Sequence, residues 1–398
     1  MINVRSVRPV LATALTAVLT VAMAAACSGG DDSKGQAAVP AIPVQQEIGP
    51  GEGRLNLVVW AGYAENGSSD KSADWVTPFQ RATGCAVNAK IADTSDSMVA
   101  LMKTGRYDGV SASGDASLRL IYGGDVAPVN TGLLSNYGDI ANYLKNQPYN
   151  SVRGQMYGAP HGYGANLLMY RTDKFPQAPT SWSVVWDERS PASGHIAAYD
   201  SPIYIADAAL YLKTHRPSLG IKDVYALDQK QFDAAVDLLK KQRPNINQYW
   251  HNYLDEVQSF KSGDNHAGTS WQVIANLAKD QKVPVATTIP GEGATGWSDT
   301  WMISDKAQHP NCMYRWMNWV TSARVQAQVA QWFGEAPANP KACRFTARGF
   351  CENFQVGDAA FYRRIAFWKT PVADCGDDRG TSCVDYDGWA RAWTQIKG

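Results

Sequence analysis

The sequence predicts an α/β fold built on parallel strands, and two observations carry the prediction. Between residues 55 and 113 strand-like runs alternate with helical patterns, the arrangement that yields a parallel sheet covered by helices. The chain also has 398 residues, 45% of them hydrophobic, enough for two or three ordinary domains or two large lobes. With 37 Lys+Arg against 37 Asp+Glu there is neither a basic field for nucleic acid nor an acidic tail. A charged partner therefore has to be read by a local pocket.

The N-terminus reads as an export signal. Arg5 and Arg8 precede an apolar, small-residue run over residues 9–26 that ends in Ala24, Ala25 and Ala26 before Cys27. Small residues before a cysteine, with Ser28, Gly29, Gly30, Asp31 and Asp32 after it, resemble a lipoprotein cleavage box, so residues 1–26 are expected to be removed and Cys27 to carry the lipid. A plain secretory cut that leaves Cys27 incidental is the alternative, and both put the folded part outside the cytoplasm. Removing Arg5 and Arg8 leaves 35 basic against 37 acidic residues. Residues 27–53, rich in Gly, Pro, Gln and Ala and devoid of aromatics, are expected to be a flexible tether.

Setting Cys27 aside leaves six cysteines, Cys85, Cys312, Cys343, Cys351, Cys375 and Cys383, an even number in an oxidising compartment. Cys343 with Cys351 and Cys375 with Cys383 are close in sequence, which leaves Cys85 with Cys312, although six cysteines allow 15 connectivities. Without a CxxC or spaced histidines, a metal site is not expected.

Structure begins with the apolar run 55–60, a buried strand with Trp60 and Tyr63 at its carboxyl end. Residues 86–91 read as a second strand and Met98, Val99, Leu101 and Met102 as a helix face. Residues 107–111 read as a third strand, with Ser113 and Asp115 just beyond it. In such sheets ligands bind outside the carboxyl ends of the strands, where Trp60, Tyr63, Ser113 and Asp115 all fall. Further on, Asp228 and Gln231 form a capping pair for an amphipathic helix whose buried stripe is Phe232, Ala235, Val236 and Leu239. A helical block follows from Pro310 to Phe333, and Trp389 and Trp393 share a helical face near the C-terminus.

Residues 291–296 spell GxGxxG, but Trp297, Asp299 and Trp301 then alternate like a strand. A dinucleotide fingerprint needs a helix there, so the stretch is expected to be a crossing between lobes. Hydrolase signatures of the G-x-S-x-G and H-E-x-x-H kinds are absent from the sequence. Fourteen Trp and eighteen Tyr are the compositional surplus. Trp182, Trp186, Trp316 and Trp319 read as packing, whereas Trp60, Tyr63, Trp271 and Trp297 stand at strand ends or beside loops. An aromatic box with a carboxylate suits a cationic ligand, and Asp299, two residues after Trp297 on the same strand face, is the anchor candidate.

These residues, taken together, resemble the substrate-binding lipoproteins of spermidine/putrescine ABC importers. The resemblance runs in order through residues 57–63, 79–87, 107–110, 157–161, 179–187, 200–210, 268–271, 290–299 and 334–339; residues beyond about 340 share little with it. It implies a two-lobed type II periplasmic-binding fold in which lobe 1 comprises 54–160 and 297–338, and lobe 2 comprises 161–296 and 339–398 with a cysteine-rich extension. It implies Trp60, Tyr63 and Ser113 on one wall of the cleft, and Trp271, Trp297 and Asp299 on the other wall and the hinge side. Two acids of that family's ligand site fall on Ser201 and Tyr204 here, so these two are expected among the ligand contacts, while Glu335 and Asp115 stand where it carries a tyrosine and often another aromatic. Acidity is then expected from Asp115, Asp200, Asp299 and Glu335. The implied function is that of a binder, not an enzyme. A polyamine would be captured and passed by a monomer to a membrane permease, without metal or cofactor; the alternatives are a binder of another solute, such as a quaternary amine, amino sugar or oligosaccharide, or an exported interaction protein or enzyme that keeps only the scaffold.

Overall fold

The computed structural model describes residues 39–398; the signal segment and Cys27 lie outside them. Two sheets organise the molecule. The larger runs in the order Ala336–Pro337, Ala159–Ala165, Ala294–Ser304, Gly109–Ala112, Arg54–Val59, Ala86–Ile91, with Val126–Ala127 and Ile365–Phe367 also paired to the long central strand. The smaller runs Ile246–Trp250, Ile196–Tyr199, Ala267–Ser270, Leu167–Arg171, Val285–Thr288. Helices cover both, so the protein is a two-lobed α/β molecule.

The expected parallel strands 54–59, 86–91 and 109–112 are present. The sheet as a whole is mixed, because Ala294–Ser304 pairs antiparallel with both Gly109–Ala112 and Ala159–Ala165. That strand is buried at all eleven positions, which explains why its alternation of Trp and polar residues does not produce a solvated face. It also begins inside the GxGxxG stretch, at Ala294, so no helix follows the glycines.

The chain leaves the larger sheet at Asn166, between Ala159–Ala165 and Leu167–Arg171, and returns between Val285–Thr288 and Ala294–Ser304. The expected lobe limits at 160/161 and 296/297 thus fall within strands of the larger sheet. The C-terminal region is shared too. Ile365–Phe367 joins the larger sheet, while the helix Tyr386–Lys397 buries Trp389 and Trp393 in the core of the smaller-sheet lobe.

The capping pair closes as read: Asp228 accepts from Gln231 N at 2.9 Å and the Gln231 side chain accepts from Asp228 N at 3.1 Å. Disulfides join Cys85–Cys312, Cys343–Cys351 and Cys375–Cys383. The tether expectation fails over residues 39–53, which pack along the larger-sheet lobe. Val39 and Ile48 join hydrophobic clusters. The Glu52 carboxylate accepts from the backbone N–H of Asn311 and Cys312, each at 2.9 Å, at the start of the helix Pro310–Val320. Burial pushes the Glu52 pKa up, but those N–H groups outweigh it and hold the carboxyl below its usual range. A helix N-terminus rewards such an acid. No helix among the described residues is long and apolar enough to cross a membrane.

Candidate functional site

Parallel pairing of the first three strands sets their carboxyl ends side by side. Trp60 follows Arg54–Val59 and Ser113 follows Gly109–Ala112, and Trp60 N donates to Ser111 Oγ at 3.3 Å. Gly62, at φ +89°, turns the chain so that Tyr63 points inward, and a side chain there would press on Phe333. Ser113 sits at the cap position of the helix Gly114–Tyr122, yet its hydroxyl makes no cap bond. It donates instead to Asp299 Oδ1 at 2.5 Å.

Tyr63 OH lies 2.7 Å from Asp299 Oδ2 and 2.8 Å from Glu335 Oε2, all three side chains being buried. Glu335 arrives from the far end of the sequence, just after Gly334 (φ +81°) terminates the helix Ala323–Phe333. Gly162 makes room for it, since a Cβ at that position would collide with the Glu335 carboxyl. A single hydroxyl hydrogen cannot serve two carboxylates at once, an arrangement that favours a proton held by one of the acids. The energetics agree. Burial pushes Asp299 up to about 7 against the lowering effect of Ser113 and Tyr63, and burial, then the Asp299 charge, pushes Glu335 well above its ordinary value. His161 Nε2 is 3.5 Å from Glu335 Oε1 but does not neutralise it, because burial drives the imidazole pKa down to about 3. Asp115 is a neighbour with its own partner: Oδ1 accepts from Ser95 Oγ at 2.9 Å, and burial raises it to about 6.

The facing lobe presents rings. Trp271 follows strand Ala267–Ser270 and packs edge-on against Trp250, centroids 4.9 Å apart. Tyr199, the last residue of Ile196–Tyr199, lies 5.5 Å from Trp271 and stacks on Trp368 at 5.5 Å and 12°. Trp297 stands at the crossing, 6.2 Å from Trp271 and 5.9 Å from Phe333, and Phe333 in turn is 4.8 Å from Tyr63. A buried hydrogen-bond chain ties the two crossings together: Trp271 Nε1 donates to Asn166, Asn166 to Thr295, and Thr295 to Asp207 at 3.0 Å.

Tyr63, Ser113, Asp299 and Glu335 therefore converge, with Asp115 alongside, Trp297 two residues along the Asp299 strand, Trp271 on the other lobe, and Trp60 placed at the adjoining strand end by its backbone. Asp299 joins the same wall as Tyr63 and Ser113, not the opposite one as expected, because its strand lies in the larger sheet. Three expected residues do not converge. Tyr204 is core, its ring 5.6 Å from Trp186 and its hydroxyl accepting from Gln242 at 3.2 Å. The Ser201 hydroxyl accepts from Ile203 N at 3.4 Å and caps a single turn. Asp200 is held by Lys397 Nζ at 2.7 Å and Trp393 Nε1 at 3.0 Å. Tyr199, Phe333, His161 and Trp368 were not anticipated. Tyr199 had a signal in its strand-end position, whereas Trp368 lies in the tail, where no pattern pointed to it.

Two lobes bridged by paired strands, with a buried polar and aromatic lining between them, define a solute-binding protein. The sequence matches the bacterial extracellular solute-binding protein family over residues 74–346, and the chain belongs to that family, which works outside the cytoplasm. It is 24% identical over 299 residues to the spermidine/putrescine-binding periplasmic protein of Escherichia coli, covering 72% of this chain and 82% of that one. It is 25% identical over 362 residues to the putrescine-binding periplasmic protein PotF of E. coli, covering 86% and 91%. Among solved structures, a putative spermidine/putrescine ABC transporter protein from Listeria monocytogenes superposes with a TM-score of 0.70 at 17% identity, over 87% of this chain and 99% of that one.

Proposed function

We propose that the cleft captures a small aliphatic amine of the polyamine class, and that the protein delivers it to the permease of an ABC importer. The observation that carries this reading is the buried Asp299–Tyr63–Glu335 cluster faced by aromatic rings. Buried acids without a counter-ion are costly, and a protonated amine would supply the missing charge while displacing the retained proton. Ring faces attract cations and cover methylenes, so Trp60, Trp271, Trp297 and Tyr199 would hold the alkyl chain. The names of the E. coli relatives support the same class. Lobe closure on the amine would report occupancy to the permease. The protein would act as a monomer, anchored by lipid at Cys27.

The test is a thermal-shift screen of the exported portion against putrescine, spermidine, quaternary amines, amino sugars and oligosaccharides. A ligand at 100 times its Kd adds about 2.7 kcal/mol of stability. The expected result is a shift with aliphatic amines; a shift confined to sugars or quaternary amines would overturn the assignment. Loss of membrane retention in Cys27→Ser checks the anchor.

A further inference from the structure

Behind Trp297 lies a cavity of about 350 Å³, bordered by Gln272, Thr287, Thr288, Gly334, Arg364 and the indole itself. It shares Trp297 with the aromatic cage, and Gly334 directly precedes Glu335. Its chemistry is opposite to that of the cage. Among the described residues Arg364, itself exposed, is the one charged side chain on its wall, and no carboxylate lines it. One guanidinium nitrogen, Nη2, donates to the carbonyls of Ile289 at 2.9 Å and Pro290 at 3.0 Å, which fixes the group at the rim.

Trp297 Nε1 has no hydrogen-bond partner although the side chain is only 5% exposed. The edge that carries it lies over Gly164, where an added Cβ would come 3.0 Å from Nε1 and 2.6 Å from Cζ2, and Gly164 is part of the cavity wall. A buried donor left unsatisfied is costly. A fully protonated polyamine offers only donors and answers neither this N–H nor the guanidinium. An oxygen acceptor answers both.

Building on the amine reading above, we infer that the solute is bifunctional: an ammonium at Asp299 and Glu335 on one side of Trp297, and a carboxylate or amide oxygen in the cavity on the other. The class is that of ω-amino acids and N-acyl diamines, and their two oxygens are separable by experiment.

Calorimetric titration with putrescine, N-acetylputrescine and 4-aminobutanoate holds the alkyl chain constant and changes only the far end. The expected result is that an oxygen-bearing ligand binds about tenfold or more tightly than putrescine, the scale of a charge-assisted hydrogen bond. Arg364→Gln should collapse that ratio for the carboxylate, and Arg364→Lys should restore most of it. Trp297→Phe, which keeps a ring and removes Nε1, should lower the ratio for both oxygen-bearing ligands. Tightest binding of putrescine, or a ratio that Arg364→Gln and Trp297→Phe leave unmoved, overturns the bifunctional solute and leaves the amine reading standing. No binding of any of the three overturns the amine reading as well.

Discussion

The two walls of the cleft solve different problems with different residues. On the larger-sheet side polar groups meet polar groups: Ser113 and Tyr63 hold Asp299, and Tyr63 holds Glu335. On the smaller-sheet side Tyr199, Trp250 and Trp271 meet one another ring to ring. Under the proposed amine reading, charge recognition falls to the larger-sheet side and much of the ring contact to the smaller-sheet side, so that closure would bring the two together. Substitutions on the two sides should therefore fail differently, in size and in pH dependence.

The largest effect is expected from the polar wall. Asp299→Asn keeps the size and much of the hydrogen bonding but removes the charge, and loss of one partner of a buried charged pair costs about 2–5 kcal/mol. Titration calorimetry should show amine affinity falling at least about thirtyfold, the low end of that range. An unchanged affinity would remove Asp299 from the site.

Acidity gives the next effect. If the cluster holds a proton that the proposed ammonium displaces, affinity should rise with pH from 5 towards 7 by up to about tenfold per unit. Titrations in buffers of different ionisation enthalpy should show proton release. The ligand-free protein should move the other way. Asp299 has a folded pKa of about 7, above its unfolded value near 4. The stability it contributes is complete below pH 4 and disappears as pH rises through about 7, by at most about 1.4 kcal/mol per unit for one proton. Opposite slopes for the empty and loaded protein would be the signature, and parallel slopes would refute the shared proton.

The aromatic wall should yield a smaller, pH-independent loss. Trp271→Ala removes a ring and its bond to Asn166; a cation–π contact is worth about 0.5–2 kcal/mol, so affinity should drop about two- to thirtyfold, with the same pH slope as the parent. A changed slope would mean that Trp271 acts through the acids.

How much of this could be read beforehand follows the physics of each signal. Strand periodicity and strand ends are local, so Trp60, Ser113 and the shared face of Trp297 and Asp299 were visible in the sequence. The capping pair Asp228 and Gln231 is local as well. What stayed hidden was tertiary. The Asp299–Tyr63–Glu335 cluster joins residues 236 and 272 positions apart, and Trp368 reaches Tyr199 only because the tail folds back between the lobes. The tether failed for a related reason: composition described residues 39–53 as unable to form a core, while Val39 and Ile48 pack against clusters built elsewhere in the chain and Glu52 caps a distant helix.

Tyr204 offers the smallest effect. The family resemblance put it among the ligand contacts, whereas here its ring stacks on Trp186 and its hydroxyl receives the Gln242 amide, buried in the smaller-sheet lobe. Tyr204→Phe keeps the stack and removes one hydrogen bond, so stability should fall by about 0.5–1.5 kcal/mol in denaturant unfolding. Amine affinity should stay within about twofold, since the deleted hydroxyl belongs to the core of one lobe and touches neither the acids nor the rings that face them. A loss comparable to that of Trp271→Ala, with the unfolding midpoint unmoved, would return Tyr204 to the cleft and make the division between an acidic wall and an aromatic wall incomplete.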